Sequence, residues 1–204
     1  MKIVGLTGNI ACGKTEVANI LKDFGAKIID ADTIAREVVE PGESAWREIR
    51  DEFGNDILNS DRSINRKKLG GIVFNDEKKR KKLNRITHPR IMKKIKESID
   101  NYRKENVKVV VIDAALIVEK GGLLHLIDQL VVVSADQESQ IQRIMKRDRL
   151  DRDQALSRIK SQLPIAEKTK HATYVIDNSG SLQKTRKQVE DVWEKITTEL
   201  PQRP

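Results

Sequence analysis

The sequence predicts an α/β fold, a parallel five-stranded sheet flanked by helices with two helical pieces inserted into it. Three observations predict it. Five apolar runs of strand length recur with helical material between them. The first run leads straight into a glycine-rich segment that a helical pattern follows. Helical periodicity alone fills the two long interruptions, 33–106 and 137–171.

The first run is Lys2-Ile3-Val4-Gly5-Leu6. After it, Gly8-Asn9-Ile10-Ala11-Cys12-Gly13-Lys14-Thr15 fills the pattern G-x-x-x-x-G-K-[ST] without a mismatch. Strand before and helix after is the context that a phosphate-binding loop needs. Its glycines let the backbone curl until several N–H groups point at one phosphate, and the next helix adds its positive end. Lys14 brings a flexible cation to the β- and γ-phosphates, and the Thr15 hydroxyl is a ligand for Mg²⁺. The segment therefore predicts a nucleoside triphosphate site in an architecture of the P-loop NTPase type.

The second run, Lys27-Ile28-Ile29, ends at Asp30, and the third, 107–112, is nearly continuous Val and ends at Asp113. Leu130-Val131-Val132-Val133 is the fourth, and Tyr174-Val175-Ile176 before Asp177 the fifth. Such runs suit strands buried on both faces of a parallel sheet. Ligands of these sheets bind beyond the carboxyl ends of the strands. That singles out 8–15, Asp30, Asp32, Asp113, Glu119, Asp177 and Asn178.

The organisation expected is a nucleotide-binding core of 1–32 with 107–136 and 172–204, a helical acceptor insertion of 33–106, and a lid of 137–171. In the insertion, Ile91, Ile95, Ile99 and Tyr102 recur at helical spacing over 90–104. Pro41-Gly42, Gly54-Asn55 and Gly70-Gly71 divide the rest into several helices. In the lid, Ile141, Ile144 and Met145 form one helical face, and Arg143 and Arg147 share another at i, i+4. Asp151 is placed to cap a second lid helix, which Pro164 ends. The C-terminal helix, 182–196, carries a core stripe of Val189, Val192, Trp193 and Ile196.

At 204 residues the chain is long enough to bury an ordinary core. No segment approaches the ~18 apolar residues of a membrane span, and Met1-Lys2 leads straight into a strand rather than a signal peptide. A cytoplasmic location is expected, with no membrane partner. Cys12 is the only cysteine, which excludes an internal disulfide and a cysteine metal cluster. Inside the loop it reads as a filler residue, with a redox switch as the alternative.

The formal charge of +8 is concentrated. Within 33–106, 19 Lys and Arg stand against 13 Asp and Glu; within 137–171 the count is 9 against 5. The remainder is slightly acidic, so the inserted pieces suit a polyanionic ligand. The run Lys78-Lys79-Arg80-Lys81-Lys82 is the most nucleic-acid-like stretch, but aromatics are only 3% of the chain. With few rings to stack on bases, it reads as a solvated helix face and no nucleic-acid partner is expected.

Switch GTPases need an N-K-x-D element, which this sequence lacks, and ATP-driven motors are usually larger. A small kinase remains. Phosphoryl transfer needs Mg²⁺, cations around the developing charge and a base for the acceptor hydroxyl. Arg143 and Arg147 are the candidate lid cations, and Asp32 is the candidate base. Asp30 and Asp32 also fit a plainer role, capping the next helix. Asp113 reads as an outer-shell partner of Mg²⁺ or as a helix cap.

With these residues in place, the chain resembles the dephospho-CoA kinases along nearly its whole length. Ile3-Val4-Gly5-Leu6-Thr7-Gly8-Asn9-Ile10 with Gly13-Lys14 is similar to that family's opening, and Ile29-Asp30-Ala31-Asp32 with Ile34-Ala35-Arg36 to its acceptor signature. Thr87-His88-Pro89, Gln140-x-x-Arg143-x-x-x-Arg147, Arg158-x-x-x-Gln162, Lys168 and Tyr174-Val175-Ile176-Asp177-Asn178-Ser179-Gly180 continue the likeness in order. The resemblance implies transfer of the ATP γ-phosphate to the ribose 3′-hydroxyl of dephospho-CoA, the last step of coenzyme A synthesis. It implies Asp32 as general base, Lys14 and Thr15 as phosphate and Mg²⁺ contacts, and Arg143 and Arg147 as lid cations. Asp30, Arg36, His88, Arg90, Asp113 and Glu119 would hold the acceptor, and Asn178 and Gly180 would lie near adenine. For His88, the residues alone also allow a helix-entry role before Pro89. The expected partners are ATP and dephospho-CoA, and the expected state is a monomer or weak homo-oligomer.

Two departures stand out. Where the family has Asp-x-Pro-Leu-Leu-Phe-Glu, this chain has Asp113-Ala114-Ala115-Leu116-Ile117-Val118-Glu119. Losing the proline loosens the backbone, and Val118 replaces an aromatic at the acceptor site. Thr173 stands where an Asp usually precedes the Tyr. The competing readings are another small P-loop kinase acting on a nucleoside or alcohol, and an ATP-regulated nucleic-acid-binding protein.

Overall fold

β1 (Lys2–Gly8), β2 (Lys27–Asp30), β3 (Val109–Asp113), β4 (Gln129–Ser134) and β5 (Tyr174–Asp177) form one sheet in the order β2-β3-β1-β4-β5. The computed structural model describes residues 1–74, 76–120 and 122–198, with no side chain described at 119 or 120. β1 pairs in parallel with β3 and β4, and β4 with β5. The order puts β1 at the centre, which explains why its Val4 and Leu6 are fully buried, as are Val110, Val111 and Ile112 of β3. The five predicted runs are the five strands.

The helices in chain order are α1 (Lys14–Asp23), α2 (Ala31–Glu37), α3 (Ser44–Phe53), α4 (Arg66–Phe74), α5 (Glu77–Lys104), α6 (Ile117–Lys120), α7 (Gln137–Asp148), α8 (Arg152–Lys160), α9 (Ile165–Thr169) and α10 (Leu182–Thr198). The chain forms two compact units, Met1–Ile29 with the chain from Asn101 onward, and Asp30–Asp100. In the first unit, α1 and α10 cover one sheet face. Val17, Ile20 and Leu21 pack there with Val131, Val133, Val189 and Ile196, and Trp193 lies against Phe24 with ring centroids 6.2 Å apart. No described helix is long and apolar enough to cross a membrane.

The second unit is helical, and an isolated bridge between Leu58 and Ile64 is the only β pairing among its described residues. Its core is Trp46, Ile49, Ile57, Ile64 and Leu69, and the Trp46 indole N–H donates to Arg62 O at 2.8 Å. Here one expectation changes. Pro89 does not start a helix; it lies inside α5, which begins twelve residues earlier at Glu77. Proline removes one helical hydrogen bond, the one that would reach Arg85 O, and the helix runs on through it, with two side chains adding bonds to neighbouring carbonyls. Thr87 Oγ1 donates to Leu83 O at 3.0 Å and the Arg90 guanidinium to Ile86 O at 2.6 Å. His88 is therefore a mid-helix residue rather than a helix-entry one.

The segment 137–171 holds α7, α8 and α9, with Asp136 and Asp151 capping the first two; Asp151 forms a full capping box with Gln154. Ile141, Ile144 and Ala155 are fully buried between α7 and α8. Glu138 ties the same helices together by accepting two bonds from Arg152, at 2.7 and 2.9 Å, and one from Gln142. Those donors pull its carboxyl from an ordinary 4.5 down to about 2. A depressed carboxylate stabilises the fold above its unfolded value and ceases to do so as pH falls through its folded value. Wild type is therefore expected to be more thermostable than Glu138→Gln above pH 4.5, with the Tm difference shrinking as pH falls to about 2. Melting curves across that range check this; a difference independent of pH would rule out the charged pair as its source.

Candidate active site

β1 delivers the chain into the loop 8–15, and α1 starts at Lys14. Three successive carbonyls of the loop are each held by a side chain from elsewhere. Gln140 Nε2 donates to Ile10 O at 2.7 Å, Arg143 to Ala11 O at 3.1 Å, and Asn178 Nδ2 to Cys12 O at 2.8 Å. A trans peptide is planar, so fixing one carbonyl sends the following N–H the opposite way. Gln140 thereby aims the Ala11 N–H, and Asn178 the Gly13 N–H, to the other side of the loop. The Cys12 N–H closes the turn onto Asn9 O at 3.1 Å. Lys14 and Thr15 open α1, so their N–H groups precede its first intrahelical bonds. The result is an anion nest at a helix N-terminus.

Two glycines make this geometry possible. At Gly8 an added Cβ would lie 2.5 Å from Cys12 Sγ and 2.6 Å from Val133 O. Gly13 has φ +85°, and its Cβ would lie 1.9 Å from Asn178 Nδ2. Cys12 is buried beneath the loop, and burial raises its thiol pKa. A raised pKa means little thiolate, which favours the filler reading.

The Lys14 ammonium pairs with the Asp113 carboxylate at the end of β3. Asp113 does not cap a helix, because α6 begins only at Ile117. Two residues past Asp113, Ala115 O accepts from both Thr7 Oγ1 and the fully buried Lys168 Nζ, each at 3.0 Å. Those two donors pin the loop at the position where the resemblance predicts a proline. Thr15 is exposed on the first turn of α1.

Arg143 and Arg147 lie one turn apart on α7 and part company. Arg143 is committed to the loop, its second nitrogen donating to Asn178 O at 2.7 Å. Arg147 is more exposed and pairs through two nitrogens with Asp148, at 2.8 and 3.0 Å. That pairing raises the Arg147 pKa and lowers that of Asp148, which also accepts from Arg158 at 2.6 Å. Arg143, Lys146, Arg147 and Gln162 join Gly8, Asn9, Ile10, Ala11, Gly13, Lys14, Thr15 and Ala115 around a cleft of about 730 Å³. That is ample for a nucleotide. Four cations and a nest of N–H groups in one cleft suit a polyphosphate.

Residues 2–184 match the family model described as dephospho-CoA kinase. The chain belongs to the dephospho-CoA kinase family. A dephospho-CoA kinase of Carboxydothermus hydrogenoformans is 43% identical over 96% of this chain and 94% of its own length. The solved structure of a dephospho-CoA kinase from Campylobacter jejuni is 34% identical, with a TM-score of 0.71 over 97% of this chain and 98% of that one. The structure of TT1252 from Thermus thermophilus is 30% identical, with a TM-score of 0.83 over 96% of this chain and 98% of that one. The fold is that of the P-loop kinases, and the activity of a dephospho-CoA kinase is ATP-dependent phosphorylation of a hydroxyl of dephospho-CoA.

Of the remaining site residues of this dephospho-CoA kinase family member, Asp30, Asp32, Arg36, His88 and Arg90 belong to the second unit, and Glu119 and Gly180 to the first. Asp30 caps α2, accepting from Thr33 N and Thr33 Oγ1, both at 2.8 Å. The capping alternative thus describes Asp30, while Asp32 is exposed in the first turn. Arg36 is exposed one turn later on the same helix, at i, i+4 from Asp32. Arg90 is bound into the unit through Ser44, Ile86 and Glu48. His88 is partly buried. The Glu119 side chain lies outside the described residues. Gly180 lies between β5 and α10, two residues before the helix begins. Gln140, Gln162 and Lys168 entered the sequence reading only through the resemblance, without roles. Thr185 did not enter it: one threonine in a polar helix gives no signal.

Proposed function

We propose that this chain transfers the γ-phosphate of ATP to the ribose 3′-hydroxyl of dephospho-CoA, giving coenzyme A and ADP. The observation that supports it most is the loop whose Ile10, Ala11 and Cys12 carbonyls are tied outward, in a member of the dephospho-CoA kinase family. The N–H groups of the loop hold the phosphates. Lys14 exchanges Asp113 for the β- and γ-phosphates, which its flexible stem permits. Arg147, on the open side of α7, balances charge on the transferring group, while Arg143 keeps the loop in shape. Asp32 takes the proton of the 3′-hydroxyl as its oxygen bonds to the γ-phosphorus and the bond to ADP breaks. Asp30, Arg36, His88, Arg90, Asp113 and Glu119 serve the acceptor side, and Gly180 with the Asn178 backbone flanks adenine.

The donor set suits Mg²⁺. Thr15 offers a hydroxyl and Asp113 a carboxylate in one site, hard oxygens of the kind that hold this ion alongside phosphate oxygens and water. When bound, Mg²⁺ neutralises charge on the β- and γ-phosphates. The protein acts in the cytoplasm, as a monomer or weak homo-oligomer and without nucleic acid.

The test is ADP release with dephospho-CoA as acceptor. Stimulation well above the rate with water is expected, with none from nucleosides or simple alcohols. No stimulation at millimolar dephospho-CoA would end this reading.

A further inference from the structure

Thr185 stands fully buried on α10, one residue beyond the segment that matches the family. Its hydroxyl has two acceptors: Asn178 Oδ1 at 2.7 Å and Ser181 O at 3.4 Å. The shorter contact takes the proton. With Oδ1 so engaged, the Asn178 NH₂ faces the other way, where it meets Cys12 O at 2.8 Å. The Asn178 side chain is buried too, 7% exposed, and its backbone is held as well. Asn178 N donates to Ser134 O at 2.8 Å, and Asn178 O accepts from Arg143. Four elements thus anchor this residue: the phosphate loop at Cys12, β4 at Ser134, α7 at Arg143 and α10 at Thr185.

We propose that the Thr185 hydroxyl is a positioning group for ATP: through Asn178 it fixes the peptide between Cys12 and Gly13 and so aims the Gly13 N–H at the phosphates. Two residues of the second half of the chain are in this way as much part of the donor site as the loop itself. The reason is geometric. An asparagine amide offers an acceptor at one end and a donor at the other, and a half-turn exchanges them. Turned over, its oxygen would face the Cys12 carbonyl, and both would lack a proton to share. The Thr185 proton at Oδ1 favours the productive orientation. Without it the amide and the Cys12–Gly13 peptide are free to rotate together, and one phosphate donor is lost from the nest. Thr185 touches neither ATP nor the reacting atoms.

This inference rests on the kinase reading for its meaning but not for its test, which is equilibrium binding of ATP to the folded protein without acceptor. Thr185→Val keeps the shape and removes the hydroxyl; Thr185→Ser keeps the hydroxyl. The valine variant is expected to bind ATP about tenfold more weakly, the effect of one lost hydrogen bond. Its KM for dephospho-CoA should stay within about twofold, and Thr185→Ser should restore ATP affinity. Wild-type affinity in Thr185→Val would overturn the proposal. Equal weakening in the serine variant would also overturn it, since packing rather than the hydroxyl would then matter. Should the valine variant not fold, Asn178→Asp replaces the donor to Cys12 O with an oxygen and must show the same selective loss of ATP affinity; unchanged affinity there overturns the proposal as well. If wild type binds ATP but does not phosphorylate dephospho-CoA, the functional reading fails while the Thr185 comparison still stands.

Discussion

Asp32→Asn is expected to lower kcat by about 10²–10⁴ while leaving ATP affinity within about twofold. The amide matches the carboxylate in size and cannot take a proton. Its neighbour makes the substitution clean. Capping of α2 falls to Asp30, whose two oxygens accept from Thr33 N and Thr33 Oγ1. Asp32 is exposed in the first turn, so its replacement leaves that cap in place, and the charge–dipole interaction it gives up is worth about 0.3–1 kcal/mol. A small effect on stability and a large one on turnover separate cleanly. Steady-state kcat with dephospho-CoA, set beside an ATP titration of the same preparation, makes the measurement. A comparable fall in ATP binding would instead make Asp32 a structural or metal-binding residue.

That prediction was available from the sequence, and the reason is local. Asp30 ends a short strand with Asp32 two residues beyond it, and the phosphate loop is eight consecutive residues, so neither pattern needs knowledge of distant contacts. The strands were legible for a related reason. Val109–Asp113 is buried at every position, and burial on both faces leaves an unbroken Val/Ile run. Which of two neighbouring aspartates caps the helix was not legible, because both types and spacings fit until the Thr33 contacts are seen.

Pro89 failed as a boundary signal. A proline costs a helix one hydrogen bond, here the one to Arg85 O, and α5 continues through that loss over its 28 residues. The family-like segment after β3 depends on distant donors: the backbone that loses its proline at Ala115 is held instead by Thr7 and Lys168. Those donors are 108 and 53 positions away in sequence. Asn178 is the extreme case, 166 positions from the Cys12 carbonyl that it holds. Sequence motifs name the loop; only the fold names the residues that shape it.

Gly13→Ala should abolish measurable ATP binding, a loss of at least about 10²-fold. Two effects add. The left-handed backbone at φ +85° costs a residue with a Cβ about 1–2 kcal/mol of stability. The new methyl would also stand 1.9 Å from Asn178 Nδ2, a distance at which something must move. Asn178 cannot yield cheaply, since Thr185, Cys12, Ser134 and Arg143 hold it from four sides. Moving the loop instead breaks the alignment of its N–H groups. Gly25→Ala isolates the first effect: Gly25 has φ +105° in the same unit, and nothing lies within 4 Å of its added Cβ. It should lower Tm and leave ATP affinity alone. Truncating Asn178 to Ala in the Gly13→Ala background removes the clash but also the donor to Cys12 O, so binding should not return. ATP titration of the three variants decides the matter: an affinity in Gly13→Ala within threefold of wild type would show that the loop accommodates a Cβ, and that Asn178 does not hold it.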